Sequence, residues 1–385
     1  MRESYDYVIA GAGFSGLVLA ERLGAAGHRC LIVEKRDHIG GNCHDRRDKN
    51  GLLYHVYGPH YFRTNAELVR TYLSRFTPWR EVQYRVQAFT RGTYWSFPVN
   101  LATYRQLTRN PGATEDEFKA YLESRKAPIA EPANSKEAML AAVGEELYEL
   151  FYRGYTAKQW GRPAEALDAS VCRRIPIRTG LDDRYFQETF QALPLHGYTH
   201  LFENMLAASG ADLRLSTDYR EILPHLNYRH LIYTGPVDEY FGCRHGALPY
   251  RTLRFQLEEL GAEHAPGGFA QPALQINYPG AEPFTRTVEV KHITGQVSAC
   301  TNLMREFPAE YEPGKHEPYY PIPGDESQAL AKLYRELAEK EPNVTFVGRL
   351  AQYRYLNMDQ VVATALHVFE SLSAKPAVRK PTANS

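Results

Sequence analysis

The first part of the chain alternates between short apolar runs and a glycine-rich turn. An apolar run over residues 7–10 leads into the sequence GAGFSG, and a second apolar run over residues 30–33 ends at Glu34. Short apolar runs bounded by turn residues are typical of buried strands, and the pattern between these two runs is helical. We therefore predict a strand–helix–strand unit that extends to about residue 63.

Downstream, the pattern predicts helices in the middle of the chain and longer strands after them. A period of two residues is typical of antiparallel strands with one buried face, and a period near 3.6 is typical of helices. The predicted elements are, in chain order, a helix over 65–76, a hairpin of strands 84–90 and 94–99 around a turn at 91–92, helices over 116–123, 135–143 and 145–152, strands over 212–216, 230–233, 248–257, 273–278 and 285–293, a helix over 326–340, a strand over 344–347 and a helix over 358–372.

The glycine turn has the residue spacing of a dinucleotide cradle. The first glycine, Gly11, permits a tight turn, the second, Gly13, lets the backbone approach a pyrophosphate, and the third, Gly16, packs helix on strand. The N terminus of the helix offers unpaired N–H groups to the phosphates. Glu34 follows at a spacing that suits a ribose hydroxyl. A GxGxxG sequence alone is often only a turn, but strand, spacing and terminal acid together favour a cofactor site.

A second glycine pair narrows the choice of cofactor. Gly40, Gly41 and Asn42 come shortly after Glu34, where a bound dinucleotide would pass. This arrangement is more usual for FAD than for NAD. The alternative is a simple glycine pair between a strand and a loop. We predict an FAD site.

The order of these patterns predicts an α/β protein: a Rossmann-like FAD-binding domain with an inserted helical domain and an antiparallel β-sheet domain. The nucleotide-binding pattern is left after its first unit, resumed near residue 200 and completed near the carboxyl end. The predicted boundaries are 1–75, 200–245 and 325–372 for the FAD-binding domain, 100–175 for the helical insertion with a mobile lid, 76–99, 176–199 and 246–324 for the antiparallel-sheet substrate domain, and 373–385 for a disordered tail.

Composition excludes several classes of protein. The chain has 385 residues, 43% of them hydrophobic, and its 45 basic residues balance 45 acidic ones, so no overall positive field attracts nucleic acid. Five scattered cysteines without a CxxC pair argue against a disulfide framework and a zinc site. No signal-peptide pattern opens the chain, and no apolar run approaches the roughly 18 residues of a membrane span. We expect a soluble, cytoplasmic protein without a metal or a membrane span.

The candidate chemistry lies in arginines and tyrosines rather than in a conventional catalytic set. No GxSxG or HExxH sequence occurs, and the Asp182–Asp183 pair is better explained as structural. Arginine binds phosphate oxygens bidentately, and phenol hydroxyls add neutral donors. For each of these residues the alternative is that it does not bind a ligand: the tyrosine would be a core aromatic residue, and the arginine a surface residue. The clusters that suit a nucleotide diphosphate are 152–160 with Arg173, Arg174 and Tyr185, then Arg286, and then Tyr319 and Tyr320 with Arg349, Tyr353 and Tyr355.

Six ordered stretches of sequence are more specific than one nucleotide fingerprint. They are GPHYFRT (58–64), YTAKQWG (155–161), RRIPIR (173–178) with DDRYF (182–186), NYPGAEPFTR (277–286), EPYYPI (317–322) and VGRLAQYRYLNMD (347–359). Together they resemble the bacterial UDP-galactopyranose mutases over nearly the whole chain. The resemblance implies an isomerase that interconverts UDP-galactopyranose and UDP-galactofuranose, a step in cell wall polysaccharide biosynthesis.

The resemblance also implies a mechanism in which the cofactor is the nucleophile. N5 of reduced FAD attacks the anomeric carbon and expels UDP, the sugar ring opens through an iminium and recloses, and UDP returns. Because the cofactor supplies the nucleophile, the protein needs none. Family members are commonly dimers or larger, which implies a homo-oligomer, and NADH or NADPH is the expected reductant.

Carried over motif by motif, the resemblance implies the site residues. Arg174, Arg286 and His60 are the predicted catalytic residues, and residues 160–174 resemble the family's mobile lid. The predicted FAD-binding residues are Gly11, Gly13, Phe14, Gly16, Glu34, Lys35, Gly41, Asn42, His60, Tyr61, Arg349, Leu356, Asn357 and Met358. The predicted substrate-binding residues are Arg63, Tyr84, Phe151, Tyr155, Thr156, Trp160, Arg173, Arg174, Tyr185, Asn277, Arg286, Tyr320 and Tyr355.

Four positions depart from the common family pattern. Arg63 stands where many members have histidine, Tyr84 where asparagine is common, Asn357 where aspartate is frequent, and Arg173 where lysine is frequent. Arg63 and Arg173 resemble the branch that also accepts UDP-N-acetylgalactosamine, so a mutase for that sugar or for both sugars is the alternative. Two further hypotheses are a redox flavoenzyme of the amine-oxidase type and a non-catalytic nucleotide-sugar sensor.

Overall fold

The computed structural model describes residues 2–322 and 324–374. The strands are β1 (Ser4–Ala10), β2 (Cys30–Val33), β3 (Asp45–Arg47), β4 (Leu53–His55), β5 (Phe62–Thr64), β6 (Trp79–Glu81), β7 (Val86–Thr90), β8 (Thr93–Phe97), β9 (Phe190–Pro194), β10 (Asp212–Arg214), β11 (Asn227–Tyr233), β12 (Tyr250–Leu260), β13 (Gln275–Asn277), β14 (Arg286–Val288), β15 (Thr301–Glu310), β16 (Tyr320–Pro321) and β17 (Val344–Phe346). The α-helices are α1 (Phe14–Ala25), α2 (Glu67–Leu73), α3 (Leu101–Thr108), α4 (Glu115–Arg125), α5 (Ser135–Leu147), α6 (Gly154–Trp160), α7 (Ser170–Arg173), α8 (Tyr198–Ser209), α9 (Tyr219–Ile222), α10 (Val237–Tyr240), α11 (Lys291–Thr294), α12 (Asp325–Ala338) and α13 (Met358–Ala374).

Five parallel strands form one sheet, in the order β10-β2-β1-β11-β17. All four residues of β2 are buried, as a strand covered on both faces requires. The helix α1 packs against both α8 and α13, and the largest apolar core includes Leu17, Phe62 and Phe202. The predicted strand–helix–strand opening and the Rossmann-like α/β class are confirmed.

A second sheet has the order β16-β12-β15-β14-β13-β7-β8, and its pairs are antiparallel except for β13 with β7. The predicted hairpin is confirmed, because β7 and β8 are joined by a turn in which Arg91 has φ 51° and Gly92 has φ 73°. Two small sheets, β3-β4 and β5-β9-β6, lie outside these two. The large sheet therefore joins residues near 90 to residues beyond 300.

Two parts of this sheet differ from the prediction. The sequence analysis missed β15, which pairs with both β12 and β14. Pro308 argues against a central strand, because proline cannot donate a backbone hydrogen bond. In the structure it lies outside residues 304–306, which are the ones that pair with β14. The predicted strand through residue 293 was wrong: β14 ends at Val288, and the buried side chain of Glu289 accepts N–H groups from residues 270 and 271. The chain then continues into α11.

The predicted helical region between residues 101 and 160 is confirmed and contains α3 to α6. The helix predicted over 145–152 is divided between the end of α5 and a π-helical turn over Tyr148–Arg153. Inside α5, Gly144 has φ 76°, and a Cβ atom there would lie 2.5 Å from the carbonyl oxygen of Arg125. This close approach to the end of α4 requires glycine.

The domain boundaries stay a prediction. The parallel sheet draws its strands from residues 4–33, 212–233 and 344–346. The last helix continues to Ala374, two residues past its predicted end. The rest of the predicted tail, residues 375–385, lies outside the described residues.

Candidate functional site

Two adjoining cavities lie at the carboxyl ends of the parallel strands, where open α/β sheets bind ligands. The first has a volume of about 260 Å³ and is lined by residues that follow β1, β2 and β11. The second has a volume of about 770 Å³ and faces the large sheet. Both are lined by Asn42, His60, Tyr319, Arg349 and Met358. They therefore form one continuous space. We call the first cavity the cofactor cavity and the second the arginine cleft.

The glycine turn after β1 has the geometry of a dinucleotide cradle. Gly11 has φ 112°, and a Cβ atom there would lie 2.0 Å from Thr234 Oγ1. A Cβ atom at Gly16 would lie 2.0 Å from the carbonyl oxygen of Gly11, so α1 packs directly on the turn. Gly13 and Gly41 both line the cavity, and a Cβ atom at Gly41 would lie 3.2 Å from the Cα atom of Gly13. The N terminus of α1 thus faces a groove bordered by backbone, which fits a pyrophosphate.

Glu34 fastens this turn to the end of β2. Its carboxylate accepts the N–H of Ala12 at 2.8 Å and the N–H of Arg36 at 3.0 Å, and the residue is 6% exposed. Each oxygen retains a further acceptor site. Glu34 therefore holds the turn, a role that was not predicted from the sequence, and its predicted contact with a ribose hydroxyl stays a prediction.

Arg36 and Glu317 line the cofactor cavity and were missed by the sequence analysis. The Arg36 guanidinium donates to Asn42 Oδ1 at 2.9 Å and to Glu317 at 2.7 Å, and it lies over the ring of Tyr57. Lys35 is 3.6 Å from the same carboxylate. Burial by itself raises the pKa of Glu317, but Arg36 and Lys35 lower it overall. Glu317 is the first residue of the EPYYPI stretch, so this motif could have identified it as a site residue.

The arginine cleft has an excess of positive charge. Arg63, Arg173, Arg174, Arg286 and Arg349 line it, and Glu188 and Glu306 are the only carboxylates that do so among the described residues. These two carboxylates each neutralise one arginine: Glu188 pairs with Arg63, and Glu306 pairs with Arg286. Three of the five guanidinium groups therefore have no carboxylate partner within the described part of the chain, and the cleft has a net positive charge that suits an anionic ligand.

Arg174 and Arg349 both contact Tyr355. Arg174 Nη1 donates to the hydroxyl of Tyr355 at 3.2 Å, and Arg349 lies over the rings of Tyr320 and Tyr355. The two rings stack with centroids 5.7 Å apart. Partial burial raises the pKa of Tyr355, but the two guanidinium groups lower it overall. The hydroxyl and Arg174 can thus bind the same anion.

Arg286 approaches from the large sheet. Its Nε atom donates to Glu306 Oε2 at 2.8 Å, and its Nη2 atom forms an ion pair with the same oxygen at 2.8 Å. Glu306 is 1% exposed, and its Oε1 atom has no hydrogen-bond partner among the described residues. Glu306 lies on β15, the strand that the sequence analysis missed, which explains why this carboxylate was missed as well. The pair holds Arg286 in place in the cleft.

His60 lies where the two cavities meet. Its Nδ1 atom is 2.9 Å from the carbonyl oxygen of Gly58, and a carbonyl only accepts, so Nδ1 carries the proton. Burial and the neighbouring His55 lower the pKa of His60 to about 3. At neutral pH the ring is therefore uncharged, and its Nε2 atom is an acceptor.

Arg63 and Tyr84 line the cleft as well. Arg63 lies over the ring of Phe186 at 4.1 Å, and Tyr84 donates to Gln275 Oε1 at 2.5 Å. Gln275 in turn donates to Asn277 Oδ1 at 2.8 Å. Phe186 and Gln275 were not predicted, although Phe186 ends the DDRYF stretch.

The structure brings most predicted residues to one of the two cavities and leaves the rest outside their lining. Gly16 and Leu356 are next to the cofactor cavity, and the Leu356 carbonyl accepts from Arg349 at 2.6 Å. Tyr155 lies close enough to Arg286 for an electrostatic interaction, although burial raises the pKa of its phenol. Four of the predicted substrate-binding residues are buried and line neither cavity: Phe151, Thr156, Trp160 and Asn277. Their predicted contact with a nucleobase stays a prediction, and so does that of Tyr155.

Within residues 2–322 and 324–374, no helix is long and apolar enough to cross a membrane. The same part of the chain contains no group of three or more His, Cys, Asp or Glu side chains that could hold a metal ion.

Comparisons with known proteins assign the chain to a family. The family model for UDP-galactopyranose mutase matches residues 150–355, and one for an NAD(P)-binding Rossmann-like domain matches residues 9–76. A probable UDP-galactopyranose mutase of Klebsiella pneumoniae is 38% identical, covering 94% of this chain and 93% of that protein. A dTDP-fucopyranose mutase of Escherichia coli is 34% identical, covering 93% and 96%. A crystal structure of reduced UDP-galactopyranose mutase superposes with a TM-score of 0.74 at 18% identity, covering 96% of this chain and 94% of the other. The chain therefore belongs to the UDP-galactopyranose mutase family of isomerases.

Proposed function

We propose that the protein interconverts UDP-galactopyranose and UDP-galactofuranose, with FAD in the cofactor cavity and the UDP-sugar in the arginine cleft. The observation that supports this most strongly is the positive charge of the cleft, which is lined by five arginines and, among the described residues, two carboxylates. A dianionic diphosphate would compensate for most of this excess, and guanidinium groups bind its oxygens bidentately.

The residues of the cofactor cavity fit FAD. Gly11 and Gly13 leave room for the pyrophosphate at the N terminus of α1, and Glu34 accepts from a ribose hydroxyl. His60, Arg349 and Met358 lie where the cavity meets the arginine cleft, so they would border a flavin bound there. Reduced FAD, when bound there, would supply a nucleophilic nitrogen, so the reaction needs no nucleophile from the protein. The isomerisation causes no net redox change.

The chain's own residues bind the leaving group and shield the reaction. Arg174 and Arg286 stabilise the negative charge that develops on the diphosphate when the bond to the sugar breaks. The hydroxyls of Tyr355, Tyr320 and Tyr185 donate to the same oxygens. His60 accepts a hydrogen bond from the sugar through its unprotonated Nε2 atom.

Residues 160–174 act as a lid over the cleft. This segment begins at Trp160, the last residue of α6, and the next residue, Gly161, has φ 64°. It contains both Arg173 and Arg174. Closure of the lid brings these arginines onto the diphosphate and excludes water, which would otherwise hydrolyse the sugar nucleotide. We further propose a homo-oligomer that receives electrons from NADH or NADPH.

The decisive experiment compares the purified flavoprotein with and without dithionite. We expect conversion of UDP-galactofuranose to UDP-galactopyranose after reduction and none in the oxidised protein, because only reduced flavin is a nucleophile. Products are separated by anion-exchange chromatography. Equal conversion by oxidised and reduced protein would contradict the proposal. Oxygen consumption with an amine substrate, and no conversion of the UDP-sugar, would support the amine-oxidase hypothesis.

A second candidate substrate is UDP-N-acetylgalactosamine, and Arg63 favours it. The guanidinium of Arg63 lies in the cleft that His60 also lines, paired with Glu188 and stacked on Phe186. This pairing holds a planar donor where a shorter histidine would leave space. An arginine fixed in this way can donate to the carbonyl of an N-acetyl group.

We therefore expect Arg63→His to change sugar preference. The variant should lose about tenfold in kcat/KM for UDP-N-acetylgalactosamine relative to UDP-galactose, because one donor to the acyl carbonyl is removed. Arg85→His is the matched control, since Arg85 pairs with Asp183 outside the cleft lining. The assay measures both sugar nucleotides in parallel. An unchanged ratio in Arg63→His would exclude this role.

A further inference from the structure

The short helix α6 carries three of the predicted nucleotide-binding residues, Tyr155, Thr156 and Trp160. It packs against the loop over residues 278–285, which joins β13 to β14. At the start of α6, a Cβ atom on Gly154 would lie 2.0 Å from the carbonyl oxygen of Pro279. The helix backbone and the loop are therefore in direct contact at this end.

Lys158 makes the second contact, one turn further along α6. Its Nζ atom donates to the carbonyl oxygens of Glu282 at 2.9 Å and Phe284 at 3.0 Å. The side chain is partly buried, and burial lowers the pKa of the ammonium group. Hydrogen bonds from a charged donor to main-chain carbonyls fix a loop more firmly than neutral ones do. Lys158 thus fastens the loop to the helix from outside the cleft, whose lining does not include it.

This loop ends at a residue that the cleft uses. Arg286 follows Phe284 by two positions, and between them the N–H of Thr285 donates to the carbonyl of Glu306 at 2.9 Å. The loop closes on itself through the N–H of Tyr278, which donates to Thr285 at 2.8 Å. The loop that Lys158 holds against α6 is therefore continuous with the start of β14, where Arg286 lies.

We propose that Lys158 is a positioning residue, which sets the spacing between the predicted nucleobase contacts on α6 and the proposed diphosphate contact at Arg286. A ligand that spans both, such as a nucleoside diphosphate, depends on this spacing. A ligand that reaches only the arginines, such as inorganic pyrophosphate, does not. The inference depends on the proposed function for the identity of the nucleotide, and it adds a residue from the YTAKQWG stretch that touches neither cavity.

The test is Lys158→Met, which keeps the length of the side chain but removes the ammonium donor. We expect about a tenfold weaker affinity for UDP, which corresponds to about 1.4 kcal/mol, and an unchanged affinity for pyrophosphate. Turnover should fall mainly through a higher KM. Lys158→Arg should recover most of the UDP affinity, because a guanidinium group can donate to the same two carbonyls. Affinities are measured by calorimetry on the FAD-loaded protein.

Lys291→Met is the matched control. Lys291 also donates through Nζ to main-chain carbonyls, those of Gly268 at 2.6 Å and Cys300 at 2.8 Å, but it lies outside the cleft lining. We expect this variant to lower the Tm without changing the ratio of the two affinities. Equal weakening of UDP and pyrophosphate in Lys158→Met, or no weakening of either, would overturn the inference. Failure of the native protein to bind UDP would instead overturn the proposed function.

Discussion

Replacing Arg174 by alanine is expected to remove nearly all turnover while leaving the flavin bound. Arg174 lines the arginine cleft, its contact to Tyr355 is 3.2 Å long, and no carboxylate of the described residues pairs with it. Its charge is therefore available to the leaving diphosphate. Removing a preorganised group of this kind costs on the order of 10²- to 10³-fold in kcat.

The same variant should keep its stability. Arg174 is exposed to the cleft and makes no ion pair within the described part of the chain, so its loss leaves no buried charge uncompensated. Flavin absorbance, Tm and steady-state kinetics are measured on one preparation. Arg153→Ala is the control, because Arg153 is exposed and pairs with Glu149 on the helix surface. Loss of flavin during purification, or a normal kcat, would contradict the assignment.

Replacing Arg286 by alanine should have a different effect, because it lowers both stability and nucleotide affinity. Arg286 is the partner of Glu306, which is 1% exposed and has one oxygen without a hydrogen-bond partner in residues 2–322 and 324–374. Removing the arginine leaves a buried carboxylate without its counter-charge, which typically costs about 3 kcal/mol or more in the free energy of unfolding. The measurement is the loss of structure during urea unfolding, followed by circular dichroism.

A double variant separates the two effects. In Arg286→Ala with Glu306→Gln, the buried group is neutral, so most of the lost stability should return while UDP affinity stays low. Stability and binding thus depend on different properties of the same arginine. A single Arg286→Ala variant as stable as the native protein would show that Glu306 finds another partner. Full recovery of UDP binding in the double variant would exclude Arg286 as a diphosphate ligand.

Local patterns predicted the parallel sheet well. The apolar runs before and after the GAGFSG turn were predicted as strands and correspond to β1 and β2. The prediction succeeded because the turn at Gly11 and the close packing at Gly16 depend on residues only a few positions apart. The predicted hairpin at Arg91 and Gly92 succeeded for the same reason. Family motifs then named the arginines and tyrosines of the cleft without any knowledge of their geometry.

Long-range pairing was the main source of error. β15 contains Arg305, Glu306 and Pro308, which obscure a strand in the sequence. Its partners are β12 and β14, and only their backbone hydrogen bonds make this segment a strand. The opposite error occurred after Val288, where a strand was predicted through residue 293 but none forms. There the side chains of Glu289 and Lys291 form hydrogen bonds with backbone groups of residues 268–271, and the chain turns away from the sheet. Pattern alone does not show where a buried charge finds its partner.

The sequence by itself determined the family, the dinucleotide cradle and the residue types that suit a diphosphate. The tertiary structure decided which arginines keep a positive charge that no neighbouring carboxylate compensates. Arg63 and Arg286 are each neutralised by a glutamate that comes from another segment of the chain, whereas Arg174 has none among the described residues. The physical reason is that charge compensation depends on distances in space, and these are set by the packing of segments that are far apart along the chain.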